Sequence, residues 1–233
     1  MSSLSSLSTR DISKRSRPIL TVPIGSCEQH GPHLPLDTDT RIAMALCEGL
    51  ASANSNILIA PSITISASDE HHDFAGTLSI GTAVLTTVIV ELVRSANWAA
   101  GVVLVNGHGG NAQAVQAAIA VLHGERRRVT AWWPRLDDHG DNNCDSHAGH
   151  TETSLMMAIA PQTVHMELAE IGVIAPLANI LDELRLHGVG SVSANGVLGD
   201  PRTASAAHGH ELLTLLTNKL VRHVELETTT WNH

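Results

Sequence analysis

Tyrosine is absent from this chain of 233 residues, phenylalanine occurs once and cysteine three times. Cys27, Cys47 and Cys144 are too few and too widely spaced for a disulfide framework or a four-thiolate zinc site, so a reducing cytoplasm is the simplest setting. Cations are scarce as well. With 14 Lys and Arg and a net charge of -9 at pH 7, the chain lacks the clustered positive charge that a grip on nucleic acid or anionic lipid requires. The basic run at 126–128 reads as a solvated helix end. No stretch is long and apolar enough to cross a bilayer, which excludes a membrane-spanning role. Histidine, by contrast, occurs 15 times, so a histidine by itself says little here.

With 43% apolar and 16% charged residues the chain can bury one substantial core. Residues 1–17, MSSLSSLSTRDISKRSR, are rich in Ser and Arg and hold no apolar segment that could serve as a secretory core; they read as a disordered tail. A transit peptide shares some of that composition but would run straight into a domain beginning at Pro18. Residues 18–233 contain no repeat and no linker, and read as one domain.

Short apolar runs alternate with longer segments of helical period, the pattern of an α/β fold. Strands are expected at 18–24, 56–65, 102–105 and 129–133. Helices are expected at 40–53, 82–97, 112–128, 151–159, 177–186 and 206–226. Asp37, Thr38 or Asp39 is available to cap the first helix, and a polar loop is expected over 137–149. The expected architecture is a three-layer sandwich, a mostly parallel central sheet flanked by helices.

In open α/β sheets function gathers outside the carboxyl ends of the strands. Three histidine-bearing loops follow strands here: EQHGPHLPLDTD, NGHGG and DSHAGHTET. Glu28 and His30, two apart, point the same way wherever the strand end stays extended, and Asp39 returns from the helix start to face them. His108 is the natural candidate from the second loop and Glu152 from the third. A bridging carboxylate flanked by carboxylate and imidazole can hold two divalent cations about 3.5–4 Å apart. Mixed N and O donors without thiolate suit Zn, Mn or Fe(II). His33, His71, His72 and His150 each read as surface or hydrogen-bonded structure. Two other readings compete. GHGGNA, after a strand and before a helix, fits a dinucleotide-binding turn and would make the chain an NAD-dependent oxidoreductase, although no acidic residue follows at the end of the next strand to take the ribose. Cys27 could serve as a nucleophile, but its neighbour Glu28 would raise the thiol pKa.

The motifs PIGSCEQHGPHLPLDTD, NGHGGN and HAGHTETS, in that order, resemble those of the creatininase family of metal-dependent amidohydrolases, over most of the chain after the tail. The resemblance implies that Glu28, His30, Asp39 and His108 ligate two divalent metal ions, with Asp39 bridging, and that His147 transfers protons. Creatininase itself carries an aromatic residue and then a metal-binding glutamate where this chain has Gly109 and Gly110. Glu152, as second-site ligand or proton carrier, is the expected substitute for that carboxylate, and a small flat ring loses its stacking surface. Together with HHDFAGTLSIGT and GVLGDPRTA, the motifs look closer to family members that release a C-terminal Val-Tyr-derived dipeptide from a modified precursor peptide. A small-molecule amidohydrolase acting on a cyclic amide or formamide is the alternative. Self-association is implied as well, since family members are commonly ring-like homo-oligomers.

Overall fold

The computed structural model describes residues 3–136, 145–229 and 231. Part of the polar loop expected over 137–149, with Cys144, lies outside the described residues. The described elements are α1 (Thr9–Ser13), β1 (Ile19–Ile24), α2 (Thr38–Ala53), β2 (Ile57–Ile59), α3 (Gly81–Ser95), β3 (Gly101–Asn106), α4 (Ala112–Gly124), β4 (Val129–Trp132), α5 (His150–Ile159), α6 (Leu177–His187), α7 (Val189–Val192) and α8 (Ala206–Thr228).

The four strands form a parallel sheet in the order β2-β1-β3-β4. Because side chains alternate across a strand, one sequence feeds two cores. Ile19, Val103, Val105 and Trp132 point to the side covered by α2, α5 and α8. Leu20, Val22, Ile24 and Leu104 point to the side covered by α3 and α4. The result is the expected three layers. On α8, Leu212, Leu216, Leu220 and Val224 recur every fourth residue and are buried, each stabilising the fold by about 1.5–3 kcal/mol. Ser205 caps this helix, its side chain accepting from the His208 amide. No helix among the described residues is long and apolar enough to cross a membrane.

Two expectations are corrected. The second strand is shorter than 56–65: Pro61 has no N–H for the ladder, and the chain rejoins β1 only through an Ile63–Ile24 bridge. The segment expected as a disordered tail is ordered from residue 3. Ser8 and Asp11 form a capping box for α1, and Leu4, Leu7 and Ile12 pack against the α3 and α4 core, so its few apolar residues are enough to dock it.

The topology also fixes where a site can form. From β1 the chain goes first to β2 on one side and then to β3 on the other, so the loops leaving β1 and β3 diverge from neighbouring strands. A crevice opens at such a reversal. Gly107 lets the β3 exit lie against the start of α2, since a Cβ there would sit 2.6 Å from the Asp39 carbonyl oxygen.

Candidate metal centre

Glu28 and His30 leave the end of β1, Asp39 lies in the first turn of α2, His108 follows β3, and His147 and Glu152 flank the start of α5. All six come together at the carboxyl end of the sheet. Glu28, His30, Asp39, His108 and His147 are buried, and Glu152 is partly so. Asp39 is not a cap: Asp37 precedes the helix and pairs with Arg41 at 2.7 Å, whereas Asp39 turns inward and accepts from Ser26 Oγ at 2.8 Å.

Asp39 lies between two imidazoles. Its Oδ1 is 3.2 Å from His30 Nε2 and its Oδ2 is 3.1 Å from His108 Nδ1. The other nitrogen of each ring faces a backbone carbonyl: His30 Nδ1 is 3.2 Å from Glu28 O and His108 Nε2 is 3.0 Å from Ala67 O. A ring N–H donated to those carbonyls leaves the opposite nitrogen, with its lone pair, aimed at a carboxylate oxygen. Lone pair facing lone pair is repulsive unless a positive charge stands between. Outer carbonyls that orient histidines in this way are the usual support of metal-ligating imidazoles. Glu152 adds to the His30 side, its Oε2 3.8 Å from His30 Nε2 and 2.6 Å from the Ala148 amide that donates to it. Ala148 holds a left-handed φ of 51°, which directs that amide to Glu152.

Both Glu28 oxygens are buried without a hydrogen bond. His108 Nε2 at 3.1 Å and His71 Nε2 at 3.3 Å are near enough for ion pairs, but neither contact is directed as a hydrogen bond. A carboxylate left this way costs several kcal/mol unless a cation compensates it. Among the described residues, ligand atoms within 4.8 Å of one another occur in three sets: Glu28, Asp39 and His108; His30, His147 and Glu152; and Glu28, His71 and His147. The donor set is imidazole and carboxylate throughout, the chemistry of a divalent cation site.

Protonation follows the same geometry. Burial works against the His30 imidazolium, but the charge and hydrogen bond of Asp39, with Glu152 and Glu28 beyond, carry its pKa up to about 10. His108 is likewise raised despite burial, by Glu28 and Asp39. Burial opposes the Asp39 charge too, yet His30 and His108 hold its carboxyl well below the usual range. Burial dominates for Glu152, with Asp39 adding to it, and pushes the carboxyl up to about 7. Burial and the neighbouring His30 and His71 push His147 well down.

His71, expected as structure, is part of this cluster: its ring centroid lies 4.5 Å from that of His147, and it faces Glu28. Gln29 and Glu70 were not expected either. Gln29 Nε2 donates to His71 Nδ1 at 2.9 Å and to Gly196 O at 3.0 Å, while Gln29 O accepts from His147 Nε2 at 2.8 Å, so one residue orients two imidazoles. The carboxylate beside Gly110 belongs to Glu70, 3.4 Å from His108 Nε2; Glu152 stands on the opposite, His30 side. Gln29 lies inside the first motif but is neither acid nor imidazole, and Glu70 and His71 lie on a connection that follows no strand end directly. His33 is structural, Nε2 bonded to Thr153 Oγ1 at 2.8 Å, and His72 is exposed. Within GHGGNA, His108 faces three carboxylates, which would repel the pyrophosphate that a dinucleotide turn must cradle.

Residues 5–224 match the family model described as Creatininase: Creatinine amidohydrolase. The chain is 46% identical over 217 residues to the mycofactocin precursor peptide peptidase of Mycobacterium tuberculosis, covering 89% of this chain and 84% of that protein. Among solved structures, a mutant creatininase of the Zn-Zn type superimposes with a TM-score of 0.83 at 22% identity, over 97% of this chain and 98% of the other. A structure titled creatininase Mn gives 0.82 at 22% identity, over 98% and 99%.

Proposed function

The chain belongs to the creatininase family of hydrolases acting on C–N bonds, and from that premise we propose that it is a two-cation peptidase acting on a modified precursor peptide of the mycofactocin type, from which it releases the C-terminal Val-Tyr-derived dipeptide. The observation that carries this reading is the Asp39 carboxylate, with an imidazole nitrogen opposite each oxygen. Glu28, Asp39 and His108 would hold one divalent cation, and His30 and Glu152 the other, with Asp39 Oδ1 facing His30. When bound, such a pair acidifies water and polarises the scissile carbonyl as a Lewis acid.

The protein's own side chains supply the rest. With Nε2–H donated to Gln29 O, His147 keeps the Nδ1 lone pair free on the Glu28 side, 4.0 Å from Glu28 Oε1. His147 Nδ1 takes the proton released by the attacking water and returns it to the leaving nitrogen. Glu152, held by the Ala148 amide, orients the His30 side and stays a ligand. At Gly109, exposed beside His108, no side chain stands on which a small ring could stack. On the same reading the enzyme works in the cytoplasm as a homo-oligomer, with Zn, Fe(II) or Mn as its cations. A cyclic amide or formamide substrate is the second reading, drawn from the family description.

The test is to incubate the metal-loaded protein with the modified precursor peptide and weigh the products. Loss of two C-terminal residues, abolished by chelator, is expected. An intact peptide together with turnover of a small amide would move the function to the second reading.

A further inference from the structure

Glu70 sits on a 3-10 turn, Asp69–His71, in the connection between β2 and α3, far in sequence from Glu28, Asp39 and His108. The residues just before it are nevertheless held in place by hydrogen bonds. The Ala67 amide donates to Asn111 Oδ1 at 3.1 Å, Asn111 Nδ2 donates to Gly25 O at the end of β1 at 3.0 Å, and the Ser68 amide donates to Ser79 Oγ at 3.0 Å. The side chain reaches back over the NGHGGN turn until Oε1 stands at ion-pair distance, 3.4 Å, from His108 Nε2, the nitrogen that is hydrogen-bonded to Ala67 O and stands 3.1 Å from Glu28 Oε2. It occupies the volume that a side chain at 110 would need. A Cβ at Gly110 would fall inside contact distance of both Glu70 Oε1 and His108 Nε2, and 2.6 Å from Ala67 O. Among the described residues Glu70 joins none of the sets of three ligand atoms within 4.8 Å of one another. The adjoining Glu28 carboxylate, buried with both oxygens unpartnered, shows that the shell itself points inward to a cation.

We propose that Glu70 is the positioning residue of the Glu28, Asp39 and His108 site: its carboxylate backs His108 Nε2, aims Nδ1 at the cation beside Asp39 Oδ2, and requires glycine at 110 to fit. The proposal rests on the two-cation reading above. An outer carboxylate of this kind strengthens an imidazole as a donor, and its loss weakens metal binding by about 10–100-fold. Charge supports the arrangement as well, since Glu28, Asp39, Glu70 and Glu152 together match the four positive charges of two divalent cations.

The experiment measures zinc stoichiometry and affinity by chelator competition, and the visible spectrum of the cobalt(II) form, for the unmodified protein, Glu70→Gln and Gly110→Ala. In both variants one of the two cations is expected to bind about 10–100-fold more weakly, with the cobalt spectrum changed and the other cation held as before. Gly110→Ala keeps Glu70 but also presses on His108 and the Ala67 carbonyl, so Glu70→Gln, which keeps the size of the side chain, is the deciding variant. A folded Glu70→Gln protein holding both cations with unaltered affinity and spectrum overturns the proposal. So does a Glu70→Gln chain that fails to fold, because the carboxylate would then serve the fold and not the cation. If the unmodified protein binds no zinc, the two-cation reading itself falls and the proposal with it, an outcome distinct from a variant that merely matches its parent.

Discussion

Leu104, in the middle of β3, and His108, just past its end, are both buried, at 0% and 5% exposure, and nothing else about them is alike. Leu104 packs within the apolar cluster under α3 and α4, where burial itself holds the structure together. Around His108 stand Glu28, Asp39 and Glu70, and burial there is a cost that needs a compensating charge. The sheet therefore divides its work along the strand. Its interior supplies stability, and its carboxyl edge spends some of that stability to hold carboxylates and imidazoles in fixed positions.

The comparison can be broken most severely at Asp39. Asp39→Ala is expected to abolish hydrolysis and to lower bound metal together, while the fold survives, since the side chain faces the centre and not the core; product mass and metal content measured on one sample check this. His147→Ala should separate the two readouts, keeping the metal while turnover falls by about 10²–10⁴-fold. A fully active Asp39→Ala protein with its metal intact would remove the bridging role.

At the other end of the comparison, Leu104→Ala opens a cavity in the fully buried strand interior and should cost about 2–5 kcal/mol of stability, read from urea unfolding. Metal per folded chain should stay unchanged. A variant that loses metal in proportion to stability would show that edge and interior are not separable.

The smallest effect concerns acid. Burial, with His30 nearby, lowers His33 from its usual 6.5 to about 4. The unfolded chain therefore takes up the proton first. The stability contributed is complete above about pH 6.5, shrinks as pH falls, and is gone below about 4, at most about 3 kcal/mol in all. Unfolding midpoints from pH 7.5 to 5 should fall less steeply for His33→Gln than for the unmodified protein; equal slopes would assign the acid sensitivity to other groups.

Much of the edge was legible in the sequence because it is local. SCEQH follows β1 directly, NGHGGN follows β3 directly, and each loop keeps its donors within a few residues of a strand end whose apolar run is unmistakable. The expected second strand ran too long because NILIAPSITI stays apolar past Pro61, and apolarity does not reveal a missing ladder hydrogen bond. The N-terminal segment was misjudged for the opposite reason: Leu4, Leu7 and Ile12 are sparse in sequence but share one face that finds the α3 and α4 core. His71 and Glu70 could not be singled out in a chain with 15 histidines, since nothing in DEHH distinguishes an inward side chain from an exposed one.

By itself the sequence determined the alternation of strands and helices, the parallel sheet, and the loops bearing Glu28, His30, Asp39, His108, His147 and Glu152, because periodicity and strand-end position are properties of neighbouring residues. Only the tertiary structure decided which oxygen of Asp39 faces which imidazole, and that Gln29, Glu70 and His71 join them. Those contacts link segments separated by tens of residues, and their direction is set by packing and by backbone carbonyls that no local pattern encodes.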